Sequence, residues 1–245
     1  MPGEPLGAAK AGFYGKLPAR GDFVSRRLPR SFVEPWDAWL QQGFASSRDH
    51  LGDGWLEAYL TSPIWRFVLA PGVCGPAGVA GVVMPSVDSV GRYFPLTIAQ
   101  PTEAGDRGAA LLRAAAGWFA AAEELAMSAL ADGFDVDAFD EAVAALALPA
   151  VAREAGPPVP PDGGARAAGW HLACDADAAF ATLADLALES RFGSYCLWAA
   201  ESDLMEPALL VTQGLPGGAA ATALLDGRWQ RHGWAEAAGT RGGGA

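Results

Sequence analysis

The chain is poor in basic residues: 17 Lys and Arg stand against 28 Asp and Glu, and only two of the 17 are lysines. The formal charge of −11 repels phosphate backbones and anionic headgroups, so nucleic acids and membrane surfaces are not expected partners. No uncharged apolar run approaches the roughly 20 residues of a membrane span. The first ten residues also lack the basic and apolar segments of a signal peptide. These absences predict a cytoplasmic protein.

Cysteine and histidine are also scarce, with three of each. They are Cys74, Cys174, Cys196, His50, His171 and His232. The cysteines form no C-x-x-C pair, which predicts buried, reduced thiols, and none of the histidines has the spacing of a metal-binding motif. The chain has no G-x-S-x-G nucleophile motif, and its glycines at 72, 75, 78 and 81 lack the G-K-[ST] ending of a phosphate loop. No cofactor, metal or small-molecule substrate is therefore expected, and the chain is not predicted to be an enzyme.

Hydrophobic periodicity alternates between helical and extended segments along the chain. Helices are predicted from Ser31 or Pro35 to about residue 44, and over residues 54–61, 109–131, 135–147, about 175–187 and 218–226. Strands are predicted near residues 13–17 and over 64–70, 78–84, 94–99, 168–174, 194–199 and 208–212. Because these strands do not follow a regular β-α-β alternation, we expect an α/β protein of the α+β kind. Its central sheet is predicted to be mixed and largely antiparallel, with helices packed on it.

Periodicity also predicts which side chains face the core in three of the helices. In the helix over 54–61 they are Trp55, Leu56, Tyr59 and Leu60. In the helix over 109–131 they are Leu112, Ala115, Phe119, Ala122, Ala126 and Leu130, and in the helix over about 175–187 they are Phe180, Leu183, Ala184 and Ala187. The nine tryptophans are mostly expected in the core. For Trp198, Trp229 and Trp234 the pattern leaves open whether they are core residues or surface anchors.

The chain is predicted to form one domain between disordered ends. Residues 1–11 and 235–245 are small, polar or rich in glycine and are expected to be disordered. Residues 12–234 are predicted to form a single domain, in which residues 156–164 (GPPVPPDGG) link an N-terminal part, 12–150, to a C-terminal part, 165–234. The C-terminal part alone would have only a marginal core.

Two loops combine glycine, proline, aromatic and charged residues, and they contain the candidate functional residues. These are Lys16, Arg20, Asp22, Phe23, Asp88, Arg92 and Tyr93. Asp88 and Arg92 are predicted either to brace their own loop with an ion pair or to join the polar rim of a protein-binding patch. An acid–base pair of Lys16 and Asp22 is a third interpretation, although no nucleophile accompanies it. Pairing of the strands that adjoin the two loops would bring both to the same edge of a sheet.

Four sequence blocks lie in order within residues 12–100. They read GFYGKLPARGDFVSRRLP, FVEPWDAWL, PIWRFVLAPGVCGP and GVVMPSVDSVGRYFPLT. Together they resemble the TagF family of cytoplasmic proteins associated with type VI secretion. A later segment, SYCLWAAESDLMEPALLVTQGLP, is similar to the family's Ser-Leu-Trp-Trp segment with its following Gly-Leu-Pro. It differs in that Cys196 precedes Leu197 and Ala199 stands where a second tryptophan is usual.

The resemblance implies a post-translational repressor of type VI secretion assembly that binds a cytoplasmic forkhead-associated scaffold protein. It supplies no catalytic residues. Some family members are fused to a PP2C-like phosphatase domain, but this chain shows no Asp-rich metal motif of that kind. Two alternatives stay open: a structural or accessory subunit of a larger assembly, and a hydrolase or transferase that uses the loops around Lys16, Asp22 and Arg92.

Overall fold

The computed structural model describes residues 10–103, 106, 108–151 and 175–235. Seven strands form one sheet in the order β2-β1-β5-β4-β3-β6-β7, and each neighbouring pair is antiparallel. The strands are β1 (Gly12–Gly15), β2 (Val24–Arg26), β3 (Trp65–Leu69), β4 (Val79–Met84), β5 (Leu96–Pro101), β6 (Cys196–Ser202) and β7 (Met205–Thr212). This sheet, with helices on both faces, confirms the predicted fold class.

The helices form a layer on each face of the sheet. They are α1 (Arg30–Leu51), α2 (Trp55–Thr61), α3 (Gly108–Ala114), α4 (Ala116–Ser128), α5 (Val136–Ala145), α6 (Ala176–Phe192) and α7 (Ala219–Asp226). Helices α1 and α7 pack together with α2 on one face. On the other face α3 lies against β3 and β6, α4 against β4 and β5, and α5 against β1, while α6 packs on α3.

Alternating side chains of the strands fill two separate cores. On the α1 side, Trp36 packs against the rings of Phe67 (centroids 4.6 Å apart) and Trp198 (6.1 Å), and its indole nitrogen donates to Thr97 Oγ1 at 2.9 Å. Strand residues whose side chains point to the other face of the sheet, such as Phe13, belong to the core beneath α3, α4 and α5. Since Trp198 is completely buried, it is a core residue rather than a surface anchor.

Helix α1 begins earlier than either predicted start. Its first residue is Arg30, so Ser31 and Pro35 both lie inside the helix. The buried ring of Phe32 stacks on Trp36 one turn later, with centroids 5.4 Å apart. No side chain caps this end of the helix, and Glu34, the second residue of the predicted capping box, pairs with Arg30 instead.

The single helix predicted over residues 109–131 is two helices. Ala115 (φ −92°, ψ 18°) interrupts the helical backbone between α3 and α4. Because of this break, α3 packs against β3 and β6, whereas α4 packs against β4 and β5. Helix α4 ends at Ser128, and Leu130, predicted to face the core, is exposed.

Helix α6 presents a different face to the protein from the one predicted. Phe180 and Leu183 are exposed, as are Ala184 and Ala187, whereas Asp185 is completely buried. The Asp185 carboxylate accepts hydrogen bonds from the backbone N–H groups of Ala109 (2.7 Å) and Ala110 (3.0 Å) and from the Tyr195 hydroxyl (2.7 Å). These bonds fix the rotation of α6, and hydrophobic periodicity contains no information about them. In α2, Leu56 and Leu60 are likewise exposed, although Trp55 and Tyr59 are buried as predicted.

The C-terminal strands continue the sheet built by the N-terminal part. Residues 66–69 of β3 pair with residues 196–199 of β6. Cys74 and Cys196 are buried as predicted, and burial raises the pKa of each thiol to about 12. Ala11, assigned above to the disordered N-terminus, is buried, and its carbonyl accepts from Arg27 Nε at 2.7 Å. The predicted strand at 168–174, the linker at 156–164, Cys174 and His171 lie outside the described residues.

We predict that Trp198→Ala lowers the free energy of unfolding by about 3–5 kcal/mol, because it leaves a cavity among the packed rings of Trp36 and Phe67. Urea unfolding followed by fluorescence measures the change. Met127→Ala on α4 is the control, since Met127 is exposed. Equal effects of the two substitutions would contradict the assigned core.

The one-domain organisation stays a prediction, and limited proteolysis tests it. Cleavage within residues 156–164 is expected to leave the two fragments associated, because the β3–β6 ladder joins them. Size-exclusion chromatography after cleavage should therefore show one species of unchanged size. Two separately eluting, folded fragments would contradict the prediction.

Candidate interaction site

The sheet brings the two candidate loops to one place. Strands β1 and β5 pair with Gly15 opposite Leu96, so the 16–23 loop after β1 lies beside the 85–95 loop before β5. Gly15 has φ +137°, and a Cβ at this position would lie 2.0 Å from the carbonyl oxygen of Pro95. Only glycine permits this close approach. The prediction that strand pairing brings the loops together is confirmed.

Backbone and side-chain hydrogen bonds connect the two loops. Ser86 Oγ donates to the Lys16 carbonyl at 2.8 Å, and the Ser89 N–H donates to the Arg20 carbonyl at 3.1 Å. The Arg92 guanidinium donates to the Gly21 carbonyl. From α2, the Tyr59 hydroxyl donates to the Ser86 carbonyl and accepts from the Ser86 N–H, both at 2.8 Å. The two loops therefore form one cross-linked unit.

Asp88 is the centre of this unit. Its Oδ2 accepts from Lys16 Nζ at 2.6 Å and from Arg92 Nε at 2.7 Å, and its Oδ1 accepts from the backbone N–H groups of Val90 (3.0 Å) and Arg92 (2.8 Å). The predicted Asp88–Arg92 brace is thus present, with Lys16 as an additional partner. Lys16 and Asp88 are only 5% and 3% exposed, so they support the loops from inside and do not lie on an exposed rim.

The electrostatics of Asp88 follow from these contacts. Burial by itself raises the pKa of Asp88, but the hydrogen bonds from Lys16, from Arg92 and from the Val90 N–H outweigh it and hold the pKa well below its usual range. The carboxylate is therefore charged, and it is stabilised by the donors that it holds in place.

Aromatic rings surround the charged centre and one of them is exposed. Phe23 stacks on Tyr14 (centroids 5.8 Å apart) and contacts Phe94 edge to face (4.8 Å), yet 47% of it remains exposed. Lys16 Nζ lies 5.2 Å from the centre of the Phe23 ring. Phe94 is buried, so it serves as a support, and Tyr93 is half-buried with its ring 5.8 Å from that of Tyr59.

Sequence reasoning missed Val90, which is strongly exposed at the tip of the 85–95 loop. Its position between Ser89 and Gly91 in a turn was the only available signal. The exposed residues of the two loops are Ala19, Arg20, Asp22, Phe23, Ser89, Val90, Gly91 and Arg92. They form a continuous candidate interaction surface, which we call the Phe23 surface.

The geometry does not provide the proposed acid–base pair. The Lys16 ammonium is bonded to buried Asp88, whereas the Asp22 carboxylate is fully exposed and lies 3.9 Å from an Arg92 nitrogen. Among the residues that the structure describes, no group of three or more His, Cys, Asp or Glu side chains is arranged to hold a metal ion. Within the same ranges, no helix has the length and apolar character needed to span a bilayer.

Comparison with known families identifies the chain. A family model described as the TagF N-terminal domain, type VI secretion system-associated, matches residues 12–146. The chain belongs to the TagF family. The matched range contains both loops of the Phe23 surface, so this surface is part of the family domain. This TagF-family protein is accordingly associated with type VI secretion.

The TagF-family protein is also similar to a solved structure. The crystal structure of PA0076 from Pseudomonas aeruginosa PAO1 has 43% sequence identity and a TM-score of 0.76. The match covers 89% of this chain and 95% of that chain, so it extends beyond the N-terminal domain into the C-terminal part. A comparison with curated proteins gives no match.

We predict that Asp88→Asn lowers the melting temperature by several degrees at pH 7, because it leaves Lys16 buried without a charged partner. The folded-state pKa of Asp88 is depressed, so its stabilisation is present in full above the unfolded pKa of about 3.9. It is lost as the pH falls through the lower folded-state pKa. The difference in melting temperature between the wild type and Asp88→Asn should therefore shrink below about pH 4.

Thermal unfolding followed by circular dichroism from pH 7 to pH 2 measures this dependence. Asp22→Asn is the matched control, because its carboxylate is fully exposed and should contribute little. If Asp88→Asn unfolded at the wild-type temperature at pH 7, Asp88 would not be the centre that holds the loops.

Proposed function

We propose that this TagF-family protein is a non-enzymatic, cytoplasmic regulator that represses type VI secretion assembly by binding a forkhead-associated scaffold protein through the Phe23 surface. The observation that carries the proposal is the cross-linking of the two loops around Asp88, which holds a partly exposed aromatic ring on a rigid base. Membership of a secretion-associated family supports the pathway. The repressor role and the identity of the scaffold come from the resemblance.

Rigidity favours this surface as a binding site. Binding energy is reduced by the entropy lost when loops and side chains become ordered, so a preorganised surface binds more tightly than a flexible one. Phe23 is held by Tyr14 and Phe94 before any partner arrives. Aromatic residues, phenylalanine among them, are enriched at the centre of protein interfaces, and polar residues form the rim.

Burial divides the residues proposed to act in partner binding into two groups. Arg20, Asp22, Phe23 and Arg92 are exposed and are proposed as direct contacts, with half-buried Tyr93 beside them. Lys16 and Asp88 are proposed to act indirectly, by holding the loops in position. Charge reversal at Lys16 is consequently unsuitable as a binding test, because it would place two buried carboxylates together.

The non-enzymatic part of the proposal is supported by how the polar groups of the loops are used. The Lys16 ammonium and the Asp88 carboxylate are bonded to each other inside the protein, which leaves no adjacent acid and base facing a substrate. A hydrolase or transferase at these loops is therefore the weaker alternative. An accessory subunit of a larger assembly would use the same kind of surface, and a measurement of repression distinguishes it from a regulator.

We predict that Phe23→Ala weakens binding to the forkhead-associated scaffold protein of the same bacterium by about 30-fold, the loss typical of a hot-spot ring worth about 2 kcal/mol. Isothermal titration calorimetry measures the affinity. Phe180→Ala is the matched control, since Phe180 is 71% exposed on α6, a helix that packs on α3. Wild-type affinity of a folded Phe23→Ala variant would contradict the proposed surface.

Repression is tested in cells that lack the native gene. Complementation with the wild type or with Phe180→Ala should restore repression of type VI secretion, whereas Phe23→Ala should leave secretion active. Secreted substrate in the culture medium is the readout. If loss of the gene reduced secretion instead of increasing it, the protein would be an accessory subunit rather than a repressor.

A further inference from the structure

Charge is distributed unevenly across the sheet. The range 10–30, which contains the edge strand β2 and its neighbour β1, has six basic residues and one acidic residue. They are Lys10, Lys16, Arg20, Arg26, Arg27 and Arg30, with Asp22 as the single acid. The range 175–206, which runs to the opposite edge, has seven acidic residues and one basic residue. They are Asp175, Asp177, Asp185, Glu189, Glu201, Asp203 and Glu206, with Arg191 as the single base.

Ion pairs within the protein neutralise only part of the positive charge of the range 10–30. Arg27 pairs with Asp140 at 2.6 Å, and Arg30 pairs with Glu34 at 2.8 Å. The exposed Arg20 side chain makes no hydrogen bond or ion pair within the described ranges. Arg20 therefore adds a positive charge to the Phe23 surface that no carboxylate of the described residues pairs with.

Arg92 contributes a second positive charge next to Phe23. It shares the buried Asp88 carboxylate with Lys16, so one negative charge faces two positive ones. The Arg92 side chain remains 57% exposed, and its Nη1 makes no hydrogen bond to another residue that the structure describes. Asp22 is the one carboxylate exposed on this surface. It lies 3.9 Å from an Arg92 nitrogen, so the three cations Lys16, Arg20 and Arg92 stand against two carboxylates, Asp88 and Asp22. In a chain of charge −11, the surroundings of the exposed aromatic ring are therefore positive by one charge.

We infer that the partner presents an acidic segment to the Phe23 surface, with an apolar pocket for the Phe23 ring bordered by carboxylates that pair with Arg20 and Arg92. This inference depends on the proposed function, because it describes the partner of the same surface. Complementary charge at the rim of an interface mainly accelerates association, whereas a buried ring slows dissociation. The negative charge of the rest of the chain repels an acidic partner from other faces and so orients its approach.

An acidic protein fits this surface better than a nucleic acid does. Nucleic-acid binding draws on several phosphate contacts from clustered basic side chains, but here two exposed arginines lie beside the fully exposed Asp22. The acidic range 175–206 of a second copy is the other available negative surface. Both alternatives are outcomes of the experiment below.

The test is the association rate of the full-length protein with the forkhead-associated scaffold protein, measured by stopped-flow fluorescence at about 50 and about 300 mM NaCl. Arg20→Glu is expected to slow association by about tenfold at low salt and to change dissociation little. Asp22→Asn is expected to accelerate association, a gain that a purely structural role of Asp22 would not produce. Arg191→Glu is the matched control, because it makes the same charge change within the acidic range.

The outcomes separate the inference from the proposed function. If Phe23→Ala weakens binding as predicted while Arg20→Glu and Arg191→Glu associate at equal rates, the acidic partner is wrong and the binding surface stands. If Phe23→Ala binds normally, the proposed surface itself is wrong. The wild type could instead bind a labelled single-stranded nucleic acid of 20 nucleotides, and Arg20→Glu could abolish that binding. The partner of the Phe23 surface would then be a nucleic acid and not an acidic protein. If light scattering showed a salt-sensitive dimer that Arg20→Glu disrupts, the partner of the Phe23 surface would be a second copy of this protein.

Discussion

The buried carboxylate of Asp88 is the interaction on which the two loops depend. It accepts four hydrogen bonds, two from side-chain cations and two from backbone N–H groups, and so leaves neither lysine nor carboxylate unpaired inside the protein. A buried charge is costly unless it is paired and hydrogen-bonded, so this network enforces one arrangement of the loops. Because Lys16 belongs to one loop and Arg92 to the other, the same carboxylate that satisfies them also joins the loops.

The sheet and the α1 layer supply the base on which this network stands. Gly15 allows β1 and β5 to approach closely, and Tyr59 on α2 holds the 85–95 loop through the Ser86 backbone. Tyr14 and Phe94 continue the aromatic packing of the core up to Phe23. The exposed ring is consequently the last member of a packed series that begins inside the protein. Fixed rings of this kind bind without a large cost of ordering, which connects the packing to the proposed regulatory function.

Much of the candidate site was predictable from local sequence. Glycine, proline and charged residues marked both loops, the four-residue spacing of Asp88 and Arg92 indicated a brace, and the strands beside the loops indicated a shared edge. Burial was not predictable, because Lys16 and Asp88 are 72 positions apart and become partners only when β1 and β5 pair. The exposure of Val90 was missed for a different reason, since the apolar character of a residue in a turn does not show that the turn points into solvent.

The amino-acid sequence by itself determined the family, the largely antiparallel sheet and most element positions, because alternation and helical periodicity are properties of neighbouring residues. Tertiary structure decided the rest. It placed both Ser31 and Pro35 inside α1, divided the helix at Ala115, and turned α6 so that Asp185 reaches the start of α3 while Phe180 faces outward. It also decided which charges support the loops and which remain exposed, because that depends on contacts between segments far apart in the chain.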